Sequence, residues 1–336
     1  MRAVIQERYG SVDDVTVREV ATPAVADDEV LVRVRAASVH PDVWHVLEGR
    51  PYALRLMGAG VRQPRDQIPG TDVSGVVESV GKDVTQIRPG EAVFGETLRG
   101  FQWRNGGAYA EYVAVPAQNL VLKPDNLTFE QAACIPTAGL IALHNLPTGE
   151  RLQPGQRVLV NGAGGGVGSI AVQLAKAAGA TVTGVDQASK FEMIRSMGAD
   201  HVIDYTEEDF TRNGELYDVI FDIHGNHPFS ECRRALTPDG TYVLIGHDGF
   251  GDSAGRWLGS MPRVIGLTVR SLFARQLPPV NVSMPPKSES MSTLRALIEA
   301  GQLTAVVDRT YSLEQVPEAI HHLERGTARG RIVITV

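Results

Sequence analysis

The sequence predicts an α/β fold in which a compact antiparallel β-barrel precedes a doubly wound parallel sheet. Three observations lead there. Short β-rich runs separated by Gly, Pro and Asp turns fill the first 122 residues. An apolar strand then enters a glycine-dense turn and continues straight into a helix, in the stretch Val158-Leu-Val-Asn-Gly-Ala-Gly-Gly-Gly-Val-Gly168 and the residues after it. Beyond that point strand-like and helix-like segments alternate at intervals that imply right-handed crossovers, and hence a parallel sheet covered on both faces.

The early runs are residues 2–6, 15–20, 30–39, 73–80, 92–94 and 108–115. Val30-Leu-Val-Arg-Val-Arg35 alternates apolar and basic side chains, as a half-exposed strand does. The turn-rich crossing Lys123-Pro-Asp-Asn-Leu-Thr128 marks the domain boundary.

In the glycine turn, backbone N–H groups stand without partners at the positive end of a helix dipole, and no Cβ blocks a pyrophosphate from reaching them. Ala163-x-Gly165-x-x-Gly168 is therefore read as a dinucleotide-binding fingerprint, the opening of a Rossmann sheet. Val167, Ile170, Ala171, Leu174 and Ala175 give the following helix its apolar face. The second strand, 180–185, ends on Asp186, whose carboxylate suits the ribose hydroxyls of NADH and repels the 2′-phosphate of NADPH. Ser189 and Lys190 follow closely enough to turn toward such a phosphate; the plainer alternative for Lys190 is a solvated lysine in the first turn of the next helix. Residues 201–205, 217–222 and 241–246 read as three more buried strands, with helices at 190–197 and 229–236 between them.

A sixth strand is predicted over 264–273 from the alternation of Ile265, Leu267, Val269 and Phe273. It would form a sheet edge, either paired with a second subunit or covered by the chain's own loops. Residues 275–290 read as a Pro- and Ser-rich loop. Helices follow at 291–300, stopped by Gly301, and at 313–325, opened by the capping pair Ser312 and Gln315 and closed by Gly326. Residues 331–336 form a last strand that returns to the barrel.

Bulk properties bound the function. At 336 residues, with 43% apolar and 21% charged residues, the chain suits a globular enzyme of about two domains. A net charge of −7 and the lack of a basic run argue against nucleic acid. Neither a signal core nor a spanning run is present, so a cytoplasmic protein without a membrane partner is expected. Cys134 and Cys232 lie far apart in sequence, which fits a reducing compartment.

Several further motifs stand in a distinctive order: Ala36-Ala-Ser-Val-His-Pro41, Gly70-Thr-Asp-Val-Ser-Gly-Val-Val-Glu-Ser-Val-Gly81, Arg88-Pro-Gly-Glu-Ala-Val-Phe94, Gly107-Ala-Tyr-Ala-Glu-Tyr112 and Ala328-Arg-Gly-Arg-Ile-Val-Ile334. Together with the glycine loop they make nearly the whole chain resemble the medium-chain dehydrogenase/reductase superfamily, in its zinc-free quinone-oxidoreductase (zeta-crystallin-like) branch. The resemblance implies a GroES-like β-barrel domain (1–124 plus 275–336), a Rossmann domain (125–274) and an active site in the cleft between them. A homodimer through the edge strand 264–273 is expected from the first of the two readings of that edge.

The zinc enzymes of that superfamily place their catalytic ligands at positions matching His40, Thr71 and Thr137. A catalytic zinc needs three ligands from Cys, His, Asp or Glu, so no metal is expected. Without a Lewis acid, hydride transfer from NADH or NADPH to a quinone, or to an alkene conjugated to a carbonyl, is the chemistry implied, because the charge spreads onto an oxygen that needs only hydrogen-bond donors. A metal-free alcohol dehydrogenase and a coenzyme-binding protein without turnover are the alternatives.

By position in the family, Tyr52 and His45 are the expected donors to that oxygen, with His40 and Asp42 as an orienting pair. His40 departs from the Asn usual in the branch, and His45 falls near a position often held by Tyr. It is equally open that His40 is a cap and that His45 packs against Arg50. The coenzyme contacts implied are Ala163, Gly164, Gly165, Gly166, Val167 and Gly168 at the pyrophosphate, Asp186 and Lys190 at the ribose, and Tyr205 near the adenine. Thr137, Ile245, Gly246, His247, Arg270 and Ser271 are placed along the nicotinamide half, and Trp103 at the substrate entrance.

Overall fold

The structure, a computed structural model, describes residues 1–99, 104–147, 152–246, 255–278 and 285–336. It divides into two compact units, Met1–Leu140 with Pro286–Val336, and Ile141–Pro285. Both divisions fall later than the 124/125 and 274/275 expected from turn composition. The first lies inside a helix, where no turn residue marks it.

In the first unit, β1 (Arg2–Ile5) and β2 (Thr16–Glu19) form an antiparallel hairpin. A seven-stranded sheet holds β3 (Glu29–Val39), β4 (Asp72–Val80), β5 (Ala92–Glu96), β6 (Tyr112–Pro116), β7 (Leu120–Leu122), β13 (Val307–Ser312) and β14 (Arg331–Thr335). Its order is β13-β14-β3-β4-β5-β7, with β6 also on β3. β14 runs antiparallel to β3, Ile332 opposite Val39 and Ile334 opposite Ala37, so the C-terminal strand does return to the barrel. Val30, Val32, Ala36, Ala37, Val39, Val333 and Ile334 are all buried. Each valine and isoleucine among them contributes ~1.5–3 kcal/mol relative to exposure.

α1 (Pro41–Glu48) follows β3 at once. α2 (Phe129–Ala133) is opened by a capping box in which the Thr128 hydroxyl accepts the Gln131 N–H and the Gln131 side chain accepts the Thr128 N–H. α3 is Pro136–Asn145. The last two helices of this unit are α8 (Lys287–Glu299) and α9 (Val316–Glu324). α8 begins inside the stretch read as a loop. The cap at Ser312 and Gln315 is present, on a short 3₁₀ turn that leads into α9. The strand β13 had no signal in the sequence: in Val-Asp-Arg-Thr-Tyr-Ser only Tyr311 is buried.

The second unit is a five-stranded parallel sheet of order β10-β9-β8-β11-β12. The strands are β8 (Arg157–Asn161), β9 (Thr181–Asp186), β10 (His201–Asp204), β11 (Tyr217–Asp222) and β12 (Leu236–Leu244), and every pairing is parallel. α4 (Gly166–Ala177) packs on β8 and β9, α5 (Phe191–Ser196) on β10, and α6 (Phe229–Cys232) on β12. Strand order reverses between β8 and β11, and ligands of open α/β sheets bind beyond the carboxyl ends at such a switch point. The core there contains Leu159, Val185, Phe210, Ile220, Phe229 and Tyr242.

One expectation is overturned outright. Residues 264–273 are not a strand, because Met261–Ser271 is a helix, α7. The alternation of Ile265, Leu267 and Val269 concealed a second spacing, that of Val264, Ile265, Thr268, Val269 and Leu272, which suits a helix face. The edge strand and the dimer contact built on it fall with this correction.

Candidate functional site

The carboxyl edge of the parallel sheet is lined with short polar side chains: Asn161, Asp186, Asp204 and Asp222 end β8, β9, β10 and β11. After Asn161 the chain turns at Gly162, whose φ of 89° favours glycine. α4 then starts with Gly165 as its N-cap. Because that residue has no side chain, no side-chain cap covers the first-turn N–H groups. Gly168 lets the helix lie close on the turn, since a Cβ there would sit 2.1 Å from the Gly162 carbonyl oxygen. The N–H groups of Ala163, Gly164 and Gly165 are bonded to the Val185 carbonyl, Asp186 and the Gly162 carbonyl, so it is Gly166, Val167 and Gly168 that form a positive cradle open to a diphosphate, and these residues fit the coenzyme expected of them.

Asp186 faces this cradle but is already engaged. Its Oδ2 accepts the Gly164 N–H at 2.8 Å, and its Oδ1 accepts the Gln187 N–H at 2.9 Å. Lys190 Nζ lies 3.1 Å from the same Oδ1, and the two residues are each only 6% exposed. The solvated lysine is therefore replaced by a buried ion pair. Tyr205 stands just past β10, half-exposed, and its hydroxyl accepts the Gln187 side-chain amide at 2.7 Å. That places it beside the end of β9.

At the switch point Asp222 is fully buried. Its Oδ1 accepts Asn161 Nδ2 and the Gly225 N–H, both at 2.8 Å, and its Oδ2 accepts the Tyr242 hydroxyl at 2.8 Å. Burial, joined by the Asp222 charge, pushes the Tyr242 phenol well above its ordinary range, so it remains a donor. Ile245 N–H bonds the Asp222 carbonyl, and a Cβ on Gly246 would meet the Ile223 carbonyl oxygen at 1.9 Å. Ile245 and Gly246 consequently run close beside this turn. His247 and Trp103 lie outside the described residues. Arg270 and Ser271, expected on a strand at the nicotinamide, are on α7, where Arg270 is exposed.

The first unit gathers a second polar cluster at the end of β3. His40 is buried and is the N-cap of α1. Its Nδ1 lies 3.1 Å from the Asp42 N–H and 3.2 Å from Asp42 Oδ2. Burial by itself would raise the Asp42 pKa, but His40, with His45 and Arg331, outweighs it and holds the carboxyl below its usual value. The expected His40–Asp42 pair is thus formed.

His45 is bonded within its own loop, and Tyr52 meets an arginine through its ring. His45 Nδ1 is 3.0 Å from the Arg50 carbonyl, which can only accept, so a neutral His45 has no second N–H to offer an oxygen. The Tyr52 ring lies 4.8 Å from the Arg55 guanidinium, which also stacks on Tyr9 at 4.3 Å.

Thr71 and Thr137, matched to zinc-ligand positions in the sequence, are both buried. Both Thr137 donors, its N–H and its hydroxyl, go to Asp72 Oδ1, while Asp72 Oδ2 accepts the Ser38 hydroxyl at 2.9 Å. Asp72 itself is completely buried. Opposite it on β5, Glu96 is raised in pKa by burial despite its ion pair with Lys287. Among the described residues no group of His, Cys, Asp and Glu is arranged to hold a metal. The sequence reading missed the Asp72–Ser38–Thr137 network and Arg331. Arg331 is buried, donates from Nη1 to the Val39 carbonyl at 3.2 Å, and keeps Nε and Nη2 without partners. The Asp next to the Thr was the visible signal for the first; nothing in Arg-Gly-Arg-Ile announced the second.

A family model described as "Alcohol dehydrogenase GroES-like domain" matches residues 26–125, and one described as "Zinc-binding dehydrogenase" matches residues 197–334. The chain is 31% identical over 344 residues to 2-methylene-furan-3-one reductase of Solanum lycopersicum, covering 99% of this chain and 79% of that protein. It is 31% identical over 343 residues to the chloroplastic NADPH-dependent alkenal/one oxidoreductase of Arabidopsis thaliana, with the same coverage of 99% and 79%. Among solved structures, the quinone oxidoreductase of Coxiella burnetii superposes with a TM-score of 0.82 at 28% identity, over 100% of this chain and 99% of that one.

Proposed function

Because the chain belongs to the medium-chain dehydrogenase/reductase superfamily, in its quinone-oxidoreductase-like branch, we propose that it reduces a quinone, or an alkene conjugated to a carbonyl, with NADH or NADPH and without zinc. The observation that carries the reading is an uncapped glycine helix start at the sheet's switch point, in a chain whose zinc-ligand positions hold Thr71 and Thr137. The nicotinamide, when bound, supplies the hydride.

The chain's own residues do the rest. Gly166, Val167 and Gly168, at the start of α4, hold the diphosphate through backbone N–H groups, those of Gly164 and Gly165 being bonded to Asp186 and to the Gly162 carbonyl. Lys190 neutralises Asp186, so the carboxylate remains an acceptor for ribose hydroxyls without rejecting a 2′-phosphate, and either coenzyme is accepted. Asn161, Asp222 and Tyr242 hold the 222–226 turn and the neighbouring Ile245-Gly246 backbone in place.

His40 is the residue we assign as donor to the acceptor oxygen. Its Nδ1 faces both an N–H and a carboxylate oxygen, so it accepts from the first when neutral and donates to the second when charged. Nε2 carries a proton in both states. Asp42 orients the ring and stabilises its cation. His45, with its bond to the Arg50 carbonyl, is a positioning residue for the loop that follows α1, whereas the ring contact of Tyr52 with Arg55 does not engage its hydroxyl, and Tyr52 stays a second candidate donor.

Two measurements test this. Purified protein should oxidise NADPH or NADH with a small quinone or an alkenal, and should keep doing so after exhaustive chelation. Activity lost on chelation and restored by zinc would overturn the metal-free reading. His40→Phe should lower kcat by about 10²–10³, the scale of losing one positioned donor, while coenzyme binding is unchanged. A fully active variant would remove His40 from the chemistry.

A further inference from the structure

Arg331 carries a charge into the fold that no bonded carboxylate neutralises. It is 5% exposed on β14, an interior strand of its sheet. Its Nη1 donates to the Val39 carbonyl, an uncharged acceptor, at 3.2 Å. Nε and Nη2 have no hydrogen-bond partner among the described residues. A buried guanidinium is ordinarily matched by a carboxylate, because its desolvation is unfavourable and each unmade hydrogen bond adds to that. An apolar side chain of similar volume would avoid both terms, so stability does not explain an arginine here.

The group it holds supplies another reason. Val39 is the last residue of β3, and Ile332, next to Arg331, is its partner in the ladder. His40 then leaves the strand to cap α1. Pairing between β3 and β14 therefore ends one residue before the imidazole, and side chains take over the holding of the backbone. The Tyr109 hydroxyl donates to the Ser38 carbonyl at 3.1 Å, and the Ser38 hydroxyl to Asp72 Oδ2 at 2.9 Å. Arg331 holds the last anchor, the oxygen of the peptide group that joins Val39 to His40. A rotation of that peptide would turn the His40 ring away from Asp42, whose N–H and Oδ2 lie 3.1 and 3.2 Å from Nδ1. The charge acts on the same pair: burial opposes an ionised Asp42, and His40, then His45 and Arg331, outweigh it.

We propose that Arg331 is a positioning residue for the reaction. By holding the peptide oxygen between Val39 and His40, it sets the direction in which His40 presents Nε2 to the acceptor oxygen. The proposal rests on the assignment of His40 as donor to that oxygen.

Steady-state kinetics and coenzyme titration on the whole protein test it, with His40→Phe as the reference for loss of the donor itself. Arg331→Met should lower kcat by about tenfold or more and leave the coenzyme Kd unchanged. Arg331→Lys keeps a cationic donor of nearly the same reach and should recover most of that loss. In the His40→Phe background Arg331→Met should have no further effect, since nothing is left to position. Should Arg331→Met not fold, Arg331→Gln, two atoms too short for the Val39 carbonyl, takes its place with the same expectations. Full turnover by Arg331→Met beside an impaired His40→Phe would overturn this proposal alone, whereas a fully active His40→Phe would remove the donor assignment and this proposal with it. An undiminished loss in the His40→Phe background would overturn it too, and would mark a general disturbance of the fold. So would a coenzyme Kd raised about tenfold with kcat at saturation unchanged, which would give the two free donors to a phosphate instead.

Discussion

At the scale of single residues, the glycine loop separates two kinds of constraint. A Cβ on Gly168 would meet a backbone oxygen, whereas one on Gly164 would meet movable ends of side chains, Lys190 Cδ at 2.5 Å and Asp186 Oδ2 at 2.8 Å. Gly168→Ala should therefore lower stability by about 1–3 kcal/mol in a urea melt. Gly164→Ala should spare most of the stability and raise the coenzyme Kd by about tenfold, as read by fluorescence titration, because Lys190 and Asp186 are displaced from the cradle. The two cysteines give a second expectation. Burial pushes the thiols of Cys134 and Cys232 up to about 12, so at pH 8 on the order of one part in ten thousand is thiolate. Neither should react with a disulfide reagent in the native protein at that pH, and both should react in urea. Rapid native labelling of either would contradict the burial.

At the scale of elements, the last strand matters most. β14 lies between β13 and β3, in the interior of the sheet, although it is formed by the final residues of the sequence. Ile334 is fully buried there, and Ile334→Ala should destabilise the protein by about 2–5 kcal/mol, measurable by thermal or urea unfolding. Little change would mean that β14 frays from the sheet in solution. The motif Ala-Arg-Gly-Arg-Ile-Val-Ile made this strand legible, since consecutive β-branched residues at a chain end need a partner to bury them. β13 was not legible, because a parallel edge strand with one buried side chain leaves no periodic trace. For α7, period-two and helical spacings coexisted in one segment, and only the surroundings chose between them.

At the scale of the whole molecule, pH acts through the buried charges. The His40 imidazole beside Asp42 holds its carboxyl below the ordinary aspartate value of 3.8, so the ionised form stabilises the fold above that pH. That contribution is lost as pH falls below 3.8 through the lower folded-state pKa. Asp42→Asn should consequently flatten the acid limb of the stability curve below pH 4 and leave its slope above pH 5 unchanged. An unaltered acid limb would mean that Asp42 is not ion-paired in the folded protein. Ligand linkage adds a second global expectation. NADH or NADPH at about 100 times its Kd should stabilise the second unit by about 2.7 kcal/mol, seen as a higher melting temperature.

The sequence by itself determined the order of strands and helices apart from β13 and α7, and the glycine turn that opens α4, because those rest on neighbours: a glycine that frees backbone N–H groups, a cap three residues from its partner, a run of β-branched side chains. Tertiary structure alone decided the pairing of Lys190 with Asp186, the closure of Asp72 by Ser38 and Thr137, and the helical state of α7. Each of these depends on which distant groups share a buried volume. There a charge must find a counter-charge and a hydroxyl an acceptor, and spacing along the chain carries no record of that.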